Sequence, residues 1–289
     1  MIDPVASDAA LVAHIRATAG LMDDHVRLWW LGQSGFLVQW RGRHLLLDPY
    51  LSDSLTKKYA DTEKPHVRMT RRVVDPAQLD FVDVVTSSHA HTDHLDAETL
   101  MPLLRANRAT AVVIAEANRG VTVERLPAGA AAPIGLAVGD YVELAGFRIE
   151  AVPAAHETLD PRFVGYVIHC DDWTLYHSGD TVLYDGMEER LRAFAIDVAL
   201  LPINGRAPER QVAGNLDAAE AAALGKAVGA GIVIPCHYEM FTFNTADPRD
   251  FVAACDRAGQ RCHVMKCGER WDTSVLPARR SSYPSTHVC

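Results

Sequence analysis

The sequence predicts an α/β protein in which two β-sheets pack together with helices on the outside. Two observations support this prediction: short apolar strand patterns alternate with helix patterns, and a meander followed by a β-α-β unit occurs twice along the chain. The two halves look similar, although no repeat of fixed period is visible. The 289 residues fit one large domain, because a domain typically holds roughly 100–200 residues.

The first half of the chain begins with a helix predicted over residues 8–22, where apolar residues recur at helical spacing behind Ser7, a common capping residue. From Val26 onward, the runs VRLWWL, GFLVQW and HLLLDPY predict three antiparallel strands, which GQS and RGR separate. A β-α-β unit follows, formed by the strand FVDVVTSS, the helix DAETLMPLL and the strand TAVVIAE.

The second half repeats this order after a loop, PAGAAAPIGLAVG. Its predicted strands are YVELAGFRIEAVPAAH (a hairpin), FVGYVIHC, DDWTLYHSGDT and FAIDVALLPING. The helix LDAAEAAALGKAVGAG follows, with Asp217 and Glu220 spaced as a capping box, and then the strand IVIPCHY. A last helix, DPRDFVAACDRAG, precedes a last predicted strand, RCHVMKCGERW, and a poorly ordered tail.

The composition excludes several classes of protein. Hydrophobic residues make up 48% and charged residues 22%, as in globular proteins. The formal net charge is −9 and no extended block of Lys or Arg occurs, so we expect no nucleic-acid partner. No basic leader or membrane-length apolar run is visible, and the six scattered cysteines indicate reduced thiols. We therefore expect a cytoplasmic protein that acts on a small molecule and has no membrane partner. The sequence is also compatible with a homo-oligomer.

The stretch SSHAHTDHLD contains three histidines and two aspartates directly after a predicted strand. On a helix, residues two apart point away from each other, whereas a loop can turn His89, His91, Asp93 and His94 toward one point. A cluster of so many titratable groups needs a cation to offset its cost, so the motif predicts a metal site. Imidazole and carboxylate ligands suit Zn²⁺, and Mn²⁺ or Fe²⁺ stay open because no Cys is present in the motif.

Three further residues follow apolar strands in the same way. His156 ends VPAAH, Asp180 ends YHSGD and His237 ends VIPCH. Because loops converge at the exit edge of a sheet, we expect these residues to complete the site. His169, His177 and His263 lie within strand patterns, and we expect them to be packing or surface residues, whereas His25, His44, His66 and His287 have no supporting context.

The motifs HAHTDH, AAHE, HSGDT and PCHYEMF resemble the successive signature motifs of the metallo-β-lactamase superfamily, over residues 26 to about 270. Within it, WLGQSGFLV, LLDPYLSDS, PINGR and VIPCHYEMF are similar to the L-ascorbate-6-phosphate lactonase-like metal-dependent hydrolases. The resemblance implies an αββα sandwich, with two mixed sheets flanked by helices and a dinuclear site in a cleft at one sheet edge. The hydrolase domain would span 26–275, between a helical extension at 1–25 and a tail at 276–289.

The resemblance also implies a role for each ligand. Two divalent ions are expected, with Zn²⁺ favoured and Mn²⁺ as the alternative. The implied ligands are His89, His91 and His156 for one ion; Asp93, His94 and His237 for the other; Asp180 as the bridge; and Asp48 behind them, where it would orient a ligand histidine. The family's lactonase is longer and lacks histidine at the position of His156, which leaves the substrate open.

Such a site would hold a hydroxide between the two ions and use it to open a lactone or cleave an ester, including esters of phosphorylated sugars. Asp93 and Asp180 are the predicted catalytic residues, with Asp93 orienting the nucleophile and moving its proton. The alternative is a phosphodiesterase or a phospholipase D-like hydrolase that uses the same site. Two related classes are disfavoured: a zinc β-lactamase would carry Cys in place of Asp180, and a di-iron oxygen-reducing protein would carry Glu in place of His91. The non-enzymatic alternative is a binding protein that a metal ion stabilises. The predicted substrate contacts are Gln33, Tyr184, Asn204, Arg206 and Tyr238.

Overall fold

Two mixed β-sheets form the centre of the protein, and helices flank them. The computed structural model describes residues 1–207, 210 and 214–277. The first sheet has the order β13-β1-β2-β3-β4-β5-β6, and the second has the order β12-β11-β10-β9-β8-β7. The predicted fold class, an αββα sandwich, is confirmed.

Apart from β6 and the shortened β13, the strands fall where the apolar runs predict them. Their bounds are β1 Arg27–Gly32, β2 Gly35–Trp40, β3 Arg43–Leu47, β4 Val84–Ser87, β5 Ala111–Ala115, β6 Ile134–Leu136, β7 Tyr141–Leu144, β8 Phe147–Ala155, β9 Leu159–Cys170, β10 Trp173–His177, β11 Val198–Pro202, β12 Ile232–Cys236 and β13 Arg270–Asp272. The α-helices of the described chain are α1 Asp8–Thr18, α2 Ser54–Lys58, α3 Ala97–Ala106, α4 Arg119–Val123, α5 Met187–Arg192, α6 Ala218–Val228 and α7 Pro248–Ala258.

Each sheet combines an antiparallel meander with a parallel part, which is the order predicted for the two halves. In the first sheet, β1, β2 and β3 pair antiparallel, whereas β3 through β6 pair parallel. In the second, β7 through β10 pair antiparallel and β10 through β12 pair parallel. The parallel parts place the carboxyl ends of several strands at one edge of each sheet.

One continuous hydrophobic core lies between the sheets and under the helices. Every residue of β1, β2, β4, β11 and β12 is buried, because other layers cover both faces of these strands. Helix α6 begins with the predicted capping box: Asp217 accepts hydrogen bonds from backbone amides of the first turn, and Glu220 accepts one from the Asp217 amide at 3.0 Å.

A second, smaller apolar cluster lies apart from this core. It consists of the buried side chains of Tyr50, Leu55, Met240 and Phe241. The two segments that contribute to it, residues 49–70 and 238–246, are here called the cap. They are joined by backbone hydrogen bonds from Met69 to Met240 at 2.7 Å and from Thr242 to Val67 at 2.9 Å.

Three predicted elements differ from the structure. Helix α1 ends at Thr18 instead of residue 22, and the Ser7 side chain makes no capping hydrogen bond. The loop predicted over 127–139 contains the short edge strand β6. The last strand is limited to β13, because the segment before it crosses from one sheet to the other: the His263 amide donates to Val233, whereas the Gly268 amide donates to Trp30.

Among the residues that the structure describes, no helix combines the length and apolar character needed to cross a bilayer. The tail predicted over 276–289 lies outside the described residues from 278 onward. The proposed division into an extension, a domain and a tail stays a prediction.

Candidate metal centre

The predicted ligands come together where strands end. His89 to His94 follow β4, His156 follows β8, Asp180 follows β10 by three residues and His237 follows β12 directly. Six of them form two adjoining groups, in each of which all ligand atoms lie within 4.8 Å of one another, and a third such group, Asp48 with His89 and His94, connects the two. The structure therefore places all seven predicted ligands in one centre.

The first group contains His89, His91 and His156. Nε2 of His89 lies 3.0 Å from Nδ1 of His91, and Nδ1 of His156 donates to the carbonyl oxygen of Gly214 at 3.0 Å. That hydrogen bond leaves Nε2 of His156 available as a ligand atom. The ring of Phe163 packs within 6 Å of all three imidazoles, with centroid distances of 5.1, 5.8 and 5.4 Å, and so shields this side of the group.

The second group contains Asp93, His94 and His237, with Asp180 beside it. Oδ2 of Asp180 lies 3.3 Å from Nε2 of His94 and 3.6 Å from Nε2 of His237. Oδ2 of Asp93 lies 3.5 Å and 3.6 Å from the same two nitrogens. The rings of His89 and His94 are only 4.1 Å apart between centroids, so the two groups share a wall.

Asp48 stands behind His94 in the position predicted for it. Nδ1 of His94 donates to Oδ2 of Asp48 at 2.7 Å, and the Ser88 amide donates to Oδ1 at 2.9 Å. The Ser88 hydroxyl also donates to this carboxylate. Since these donors occupy its oxygens, we interpret Asp48 as a residue that orients His94 rather than as a ligand.

The backbone at the centre adopts sparsely populated conformations. Asp48, Gln33 and His237 have φ angles of 38°, 51° and 63°, in the left-handed region that residues other than glycine rarely adopt. Each of these residues directly follows or precedes a strand end, where the chain must turn sharply into the site. Such strain persists where surrounding structure enforces it, and it is common at functional sites.

The donor set fits divalent cations. Nε2 of His94 and Oδ1 of Asp180 are buried and have no hydrogen-bond partner among the described residues. A buried polar atom without any compensation, such as Oδ1 of Asp180, costs about 2–7 kcal/mol. Nε2 of His94 is compensated only in part, by the Asp180 carboxylate oxygen 3.3 Å away. A cation bound to both groups of ligands would satisfy these atoms.

The pKa shifts at the centre also indicate a site for cations. Burial by itself lowers the pKa of His237, but the carboxylates of Asp180 and Asp93 outweigh it and raise the pKa from 6.5 to about 9. His94 is raised well above its usual pKa in the same way, against the effect of burial. Conversely, burial would raise the pKa of Asp93 and Asp180, but the histidines hold both well below the usual range. Without a bound cation, the imidazoles of His94 and His237 thus retain protons on the ring nitrogens that would bind the cation.

A cleft of about 600 Å³ opens onto the centre. Of the predicted substrate contacts, Gln33 lines it, and its Nε2 donates to Oδ2 of Asp93 at 2.8 Å and lies 3.0 Å from Nε2 of His237. Gln33 therefore orients Asp93 directly. Any contact with a substrate would be in addition to this hydrogen bond.

The other four predicted substrate contacts do not line the cleft, and their polar atoms bind other protein groups. The Tyr238 ring is buried against the Trp30 ring, with centroids 4.4 Å apart. Its hydroxyl donates to the Met265 carbonyl. The remaining three interactions are Tyr184 hydroxyl to Pro153 carbonyl at 2.9 Å, Asn204 Nδ2 to Asn244 Oδ1 at 2.9 Å, and Arg206 to both carboxylate oxygens of Glu220 at 2.6 and 2.7 Å.

Several residues of the cleft were not predicted from the sequence. They include Lys58, Tyr59, Lys64 and His66 from one cap segment, Phe241 and Phe243 from the other, and Arg125. The sequence offered no supporting context for His66, whereas in the structure its ring forms part of the cleft wall. The alternating aromatic residues of MFTF, directly after the His237 motif, were the available sequence signal.

Arg125 holds the ligand loop in place from outside. Its Nη1 donates to the carbonyl oxygens of Ala90 and Leu95, both at 2.7 Å, and these two residues lie on either side of the ligands His91 to His94. Hydrogen bonds from a charged donor are worth about 1.5–3 kcal/mol. The guanidinium therefore fixes the curvature of the loop, and with it the direction of the ligand side chains.

We expect Arg125→Ala to lower the affinity for Zn²⁺ about 10–100-fold, the range typical of residues that orient ligands. Titration of Zn²⁺ against a competing chelator measures this, and thermal unfolding reports any loss of stability. Arg119→Ala is the matched control, because Arg119 is half exposed and lies 3.7 Å from Glu116, outside the loop. Equal zinc affinity in both variants would contradict the role of Arg125.

Comparison with known proteins identifies the family. The Beta-lactamase superfamily domain model matches residues 27–237. A UPF0173 metal-dependent hydrolase from Opitutus terrae is 34% identical over 84% of this chain and 98% of its own length, and one from Caldivirga maquilingensis is 29% identical over 84% and 96%. The solved structure of Igni18, a metallo hydrolase from Ignicoccus hospitalis, has a TM-score of 0.64 and 27% identity and covers 86% of this chain and 98% of that one. The chain therefore belongs to the metallo-β-lactamase superfamily and, within it, to the UPF0173 family of metal-dependent hydrolases.

Proposed function

We propose that this metal-dependent hydrolase opens a lactone or cleaves an ester of a small anionic molecule, including phosphorylated sugar derivatives, at a centre of two divalent cations. The observation that supports this most directly is the pair of adjoining ligand groups, with Asp180 beside them, at the floor of the cleft. His89, His91 and His156 would hold one cation, Asp93, His94 and His237 the other, and Asp180 both. A donor set of imidazoles and carboxylates without thiolate favours Zn²⁺, with Mn²⁺ as the alternative.

When bound, two such cations polarise the scissile carbonyl and supply a water-derived nucleophile at neutral pH. The described lining of the cleft contains neither Ser nor Cys, so the two commonest side-chain nucleophiles of acyl transfer are absent from it. Cys236, next to His237, is fully buried, and burial raises the pKa of its thiol well above the usual range. We therefore assign the attack to water rather than to the protein.

The residues of the chain have distinct roles in this proposal. Asp93 is 18% exposed and lines the cleft, so it can accept the proton of the attacking water and pass it to the leaving alkoxide. Gln33 fixes the orientation of Asp93 through its 2.8 Å hydrogen bond, and Asp48 fixes His94. These contacts hold the proton acceptor and the ligand in place before the substrate arrives, which lowers the cost of reorganisation.

The size and charge of the cleft support a small anionic substrate. A volume of about 600 Å³ lies within the range of small-molecule sites. A phosphodiester of similar size would also suit the positively charged side chains of the lining, and a phosphodiesterase or phospholipase D-like activity is the alternative. The five described cysteines carry free thiols, which supports a reducing compartment such as the cytoplasm.

The test is a substrate panel measured with protein loaded separately with Zn²⁺ and with Mn²⁺. The panel contains neutral lactones, phosphorylated lactones, carboxylic esters and phosphodiesters of matched size. We expect hydrolysis of at least one lactone or ester, at a rate that exceeds the best phosphodiester. Turnover of phosphodiesters alone would replace this proposal by the alternative, and turnover of none of the four classes with a fully loaded centre would refute both.

A further inference from the structure

The cap is attached to the metal centre through both of its segments. Residues 49–70 follow Asp48 directly, and residues 238–246 follow His237 directly. Arg68 ties the first segment internally through Asp53 at 2.7 Å, and the two segments pair through the Arg68–Phe241 bridge. The position of the cap relative to the ligands is therefore fixed by short connections.

The face of the cap that lines the cleft is aromatic, and His66 lies at its centre. The His66 ring stacks on Tyr59 with centroids 4.5 Å apart and planes at 28°, and it contacts Phe241 at 5.2 Å and Phe243 at 5.3 Å. Such a surface offers flat apolar faces to the cleft. It is fixed by the separate apolar cluster below it, in which Phe241 is buried.

His66 also offers one hydrogen-bond acceptor. Its Nδ1 lies 2.9 Å from the Lys64 carbonyl oxygen, so Nδ1 carries the proton and donates. Burial lowers the pKa of His66, which favours the neutral ring. In that form Nε2 bears a lone pair, and the hydrogen bond of the ring to the described chain is made by Nδ1.

Lysines surround this aromatic face although the chain as a whole is acidic. The formal net charge is −9, yet apart from the proposed ligands Asp93 and Asp180 the formally charged residues of the described cleft lining are Lys58, Lys64 and Arg125. Lys58 Nζ lies 5.1 Å above the Tyr59 ring, which places this charge next to the aromatic face. A cleft with lining charges opposite to the charge of the whole protein selects anions.

We propose that Lys58, Tyr59, Lys64, His66, Phe241 and Phe243, here called the cap wall, form a recognition site for the part of the substrate that does not react. The ligand class is a small ring compound that bears an anionic group and a neighbouring hydroxyl. The ring packs on the aromatic faces, the lysines bind the phosphate or carboxylate, and Nε2 of His66 accepts a hydrogen bond from the hydroxyl. This inference rests on the proposed function, because the cap wall would hold a substrate whose ester or lactone bond lies at the metal centre.

Binding of unreactive probes tests the cap wall without turnover. Calorimetric titration of the zinc-loaded protein would use 2-hydroxycyclohexylphosphonate, 2-hydroxycyclohexanecarboxylate, cyclohexylphosphonate and the neutral cyclohexane-1,2-diol. We expect at least one of the two hydroxylated anions to bind at least tenfold more tightly than the diol, and the tighter of the two identifies the anion. Binding should weaken as salt is raised, because the lysines lie near solvent.

Substitutions assign the binding to particular atoms. We expect Lys58→Gln to weaken binding of the anionic probes up to about fivefold, and Lys58→Gln with Lys64→Gln about 20-fold, without effect on the diol. Lys57→Gln is the matched control, since Nζ of Lys57 is paired with Glu98 at 2.7 Å and lies outside the cleft. His66→Phe keeps an aromatic ring, and we expect it to weaken the hydroxylated phosphonate about tenfold and to leave cyclohexylphosphonate unchanged.

Unchanged affinity of the anionic probes in the double lysine variant would overturn the proposal, because the anion would then bind at the metal centre itself. Equal affinity for the anions and the diol would overturn it as well. Loss of both phosphonates alike in His66→Phe, with an unaltered unfolding temperature, would remove the assigned role of Nε2. None of these results depends on hydrolysis, so failure of the lactone or ester activity is detected separately by the substrate panel.

Discussion

Asp180→Asn is expected to reduce kcat/KM by more than about 100-fold, beyond the loss seen when residues that merely orient ligands are removed. The substitution keeps the volume of the side chain and removes its charge. Oδ2 of Asp180 lies 3.3 Å and 3.6 Å from the ring nitrogens of His94 and His237, and Oδ1 is buried without a partner. An amide offers only one weak ligand atom there, so the centre would lose the negative charge expected to bind both cations.

The measurement combines steady-state kinetics, the metal content per chain and circular dichroism. We expect a native spectrum, because the core strands around Asp180 are unaffected by an isosteric change. Asp185→Asn is the matched control: it is the same substitution at an exposed position five residues later. His91→Ala should lose turnover in the same way. Full activity in either Asp180→Asn or His91→Ala would refute the assignment of the centre.

The ligands of the centre could be predicted from the sequence because each one is marked locally. His89 and His237 follow apolar strands in the parallel part of a sheet, where carboxyl ends meet at one edge. His156 follows β8, which runs in the same direction as β10 because β9 lies antiparallel between them. Asp48 follows β3 in the same way. For these residues the local pattern and the topology of the fold agree, so little long-range information was required.

The cap wall could not be predicted in this way. Lys58 and His66 belong to the connection between β3 and β4, which carries no helical or strand periodicity beyond the short helix α2. Its position depends on long-range hydrogen bonds to residues 240–242, such as that from Met69 to Met240. Pairing between two irregular segments leaves no periodic signal in either of them.

Proximity in sequence was misleading for the predicted substrate contacts. Tyr238 follows a ligand directly, but its side chain points into the core against Trp30. Arg206 lies in a conspicuous motif, but the sequence already contained its alternative partner: Glu220, in the capping box of α6, binds it bidentately. The segment before β13 has strand-forming residues and yet crosses between the sheets, because its hydrogen-bond partners belong to different layers.

Removal of the metal is expected to abolish hydrolysis. Adding the metal back should release protons from His94 and His237. In the protein groups alone, the carboxylates of Asp93 and Asp180 hold the pKa of His237 at about 9 and that of His94 well above its usual value. Both imidazoles would thus be protonated at pH 7 and must lose a proton to bind a cation. We expect release of about two protons per chain on zinc binding at pH 7, falling toward zero above the pKa values of the two histidines. Calorimetry in buffers of different ionisation enthalpy measures this number.

The same protons determine how the stability of the metal-free protein depends on pH. A histidine whose pKa rises on folding, as that of His237 does from 6.5 to about 9, contributes stability that is complete below about 6.5 and is lost as the pH rises through 9. Asp93 and Asp180, whose pKa values fall below 3.8 on folding, contribute stability above about pH 4 that is lost in acid. These three groups together favour the folded metal-free protein between about pH 4 and 6.5. Buried histidines whose pKa falls on folding, such as His89 and His177, act in the opposite direction, because they contribute stability above about pH 6.5 that is lost in acid.

Cations and protons thus compete for the same nitrogens. The stabilisation of the protein by bound metal should therefore increase as the pH rises. Zinc affinity increases with pH up to the pKa of His237, so the gain in unfolding temperature on zinc addition should be small near pH 5.5 and largest near pH 9. Thermal unfolding of both forms across this range measures the difference. Asp48→Asn is informative here, because it weakens the hold on His94 without removing a ligand and should reduce the gain at every pH. A gain that does not change with pH would mean that His94 and His237 are already neutral in the metal-free protein, and the electrostatic account of the centre would be wrong.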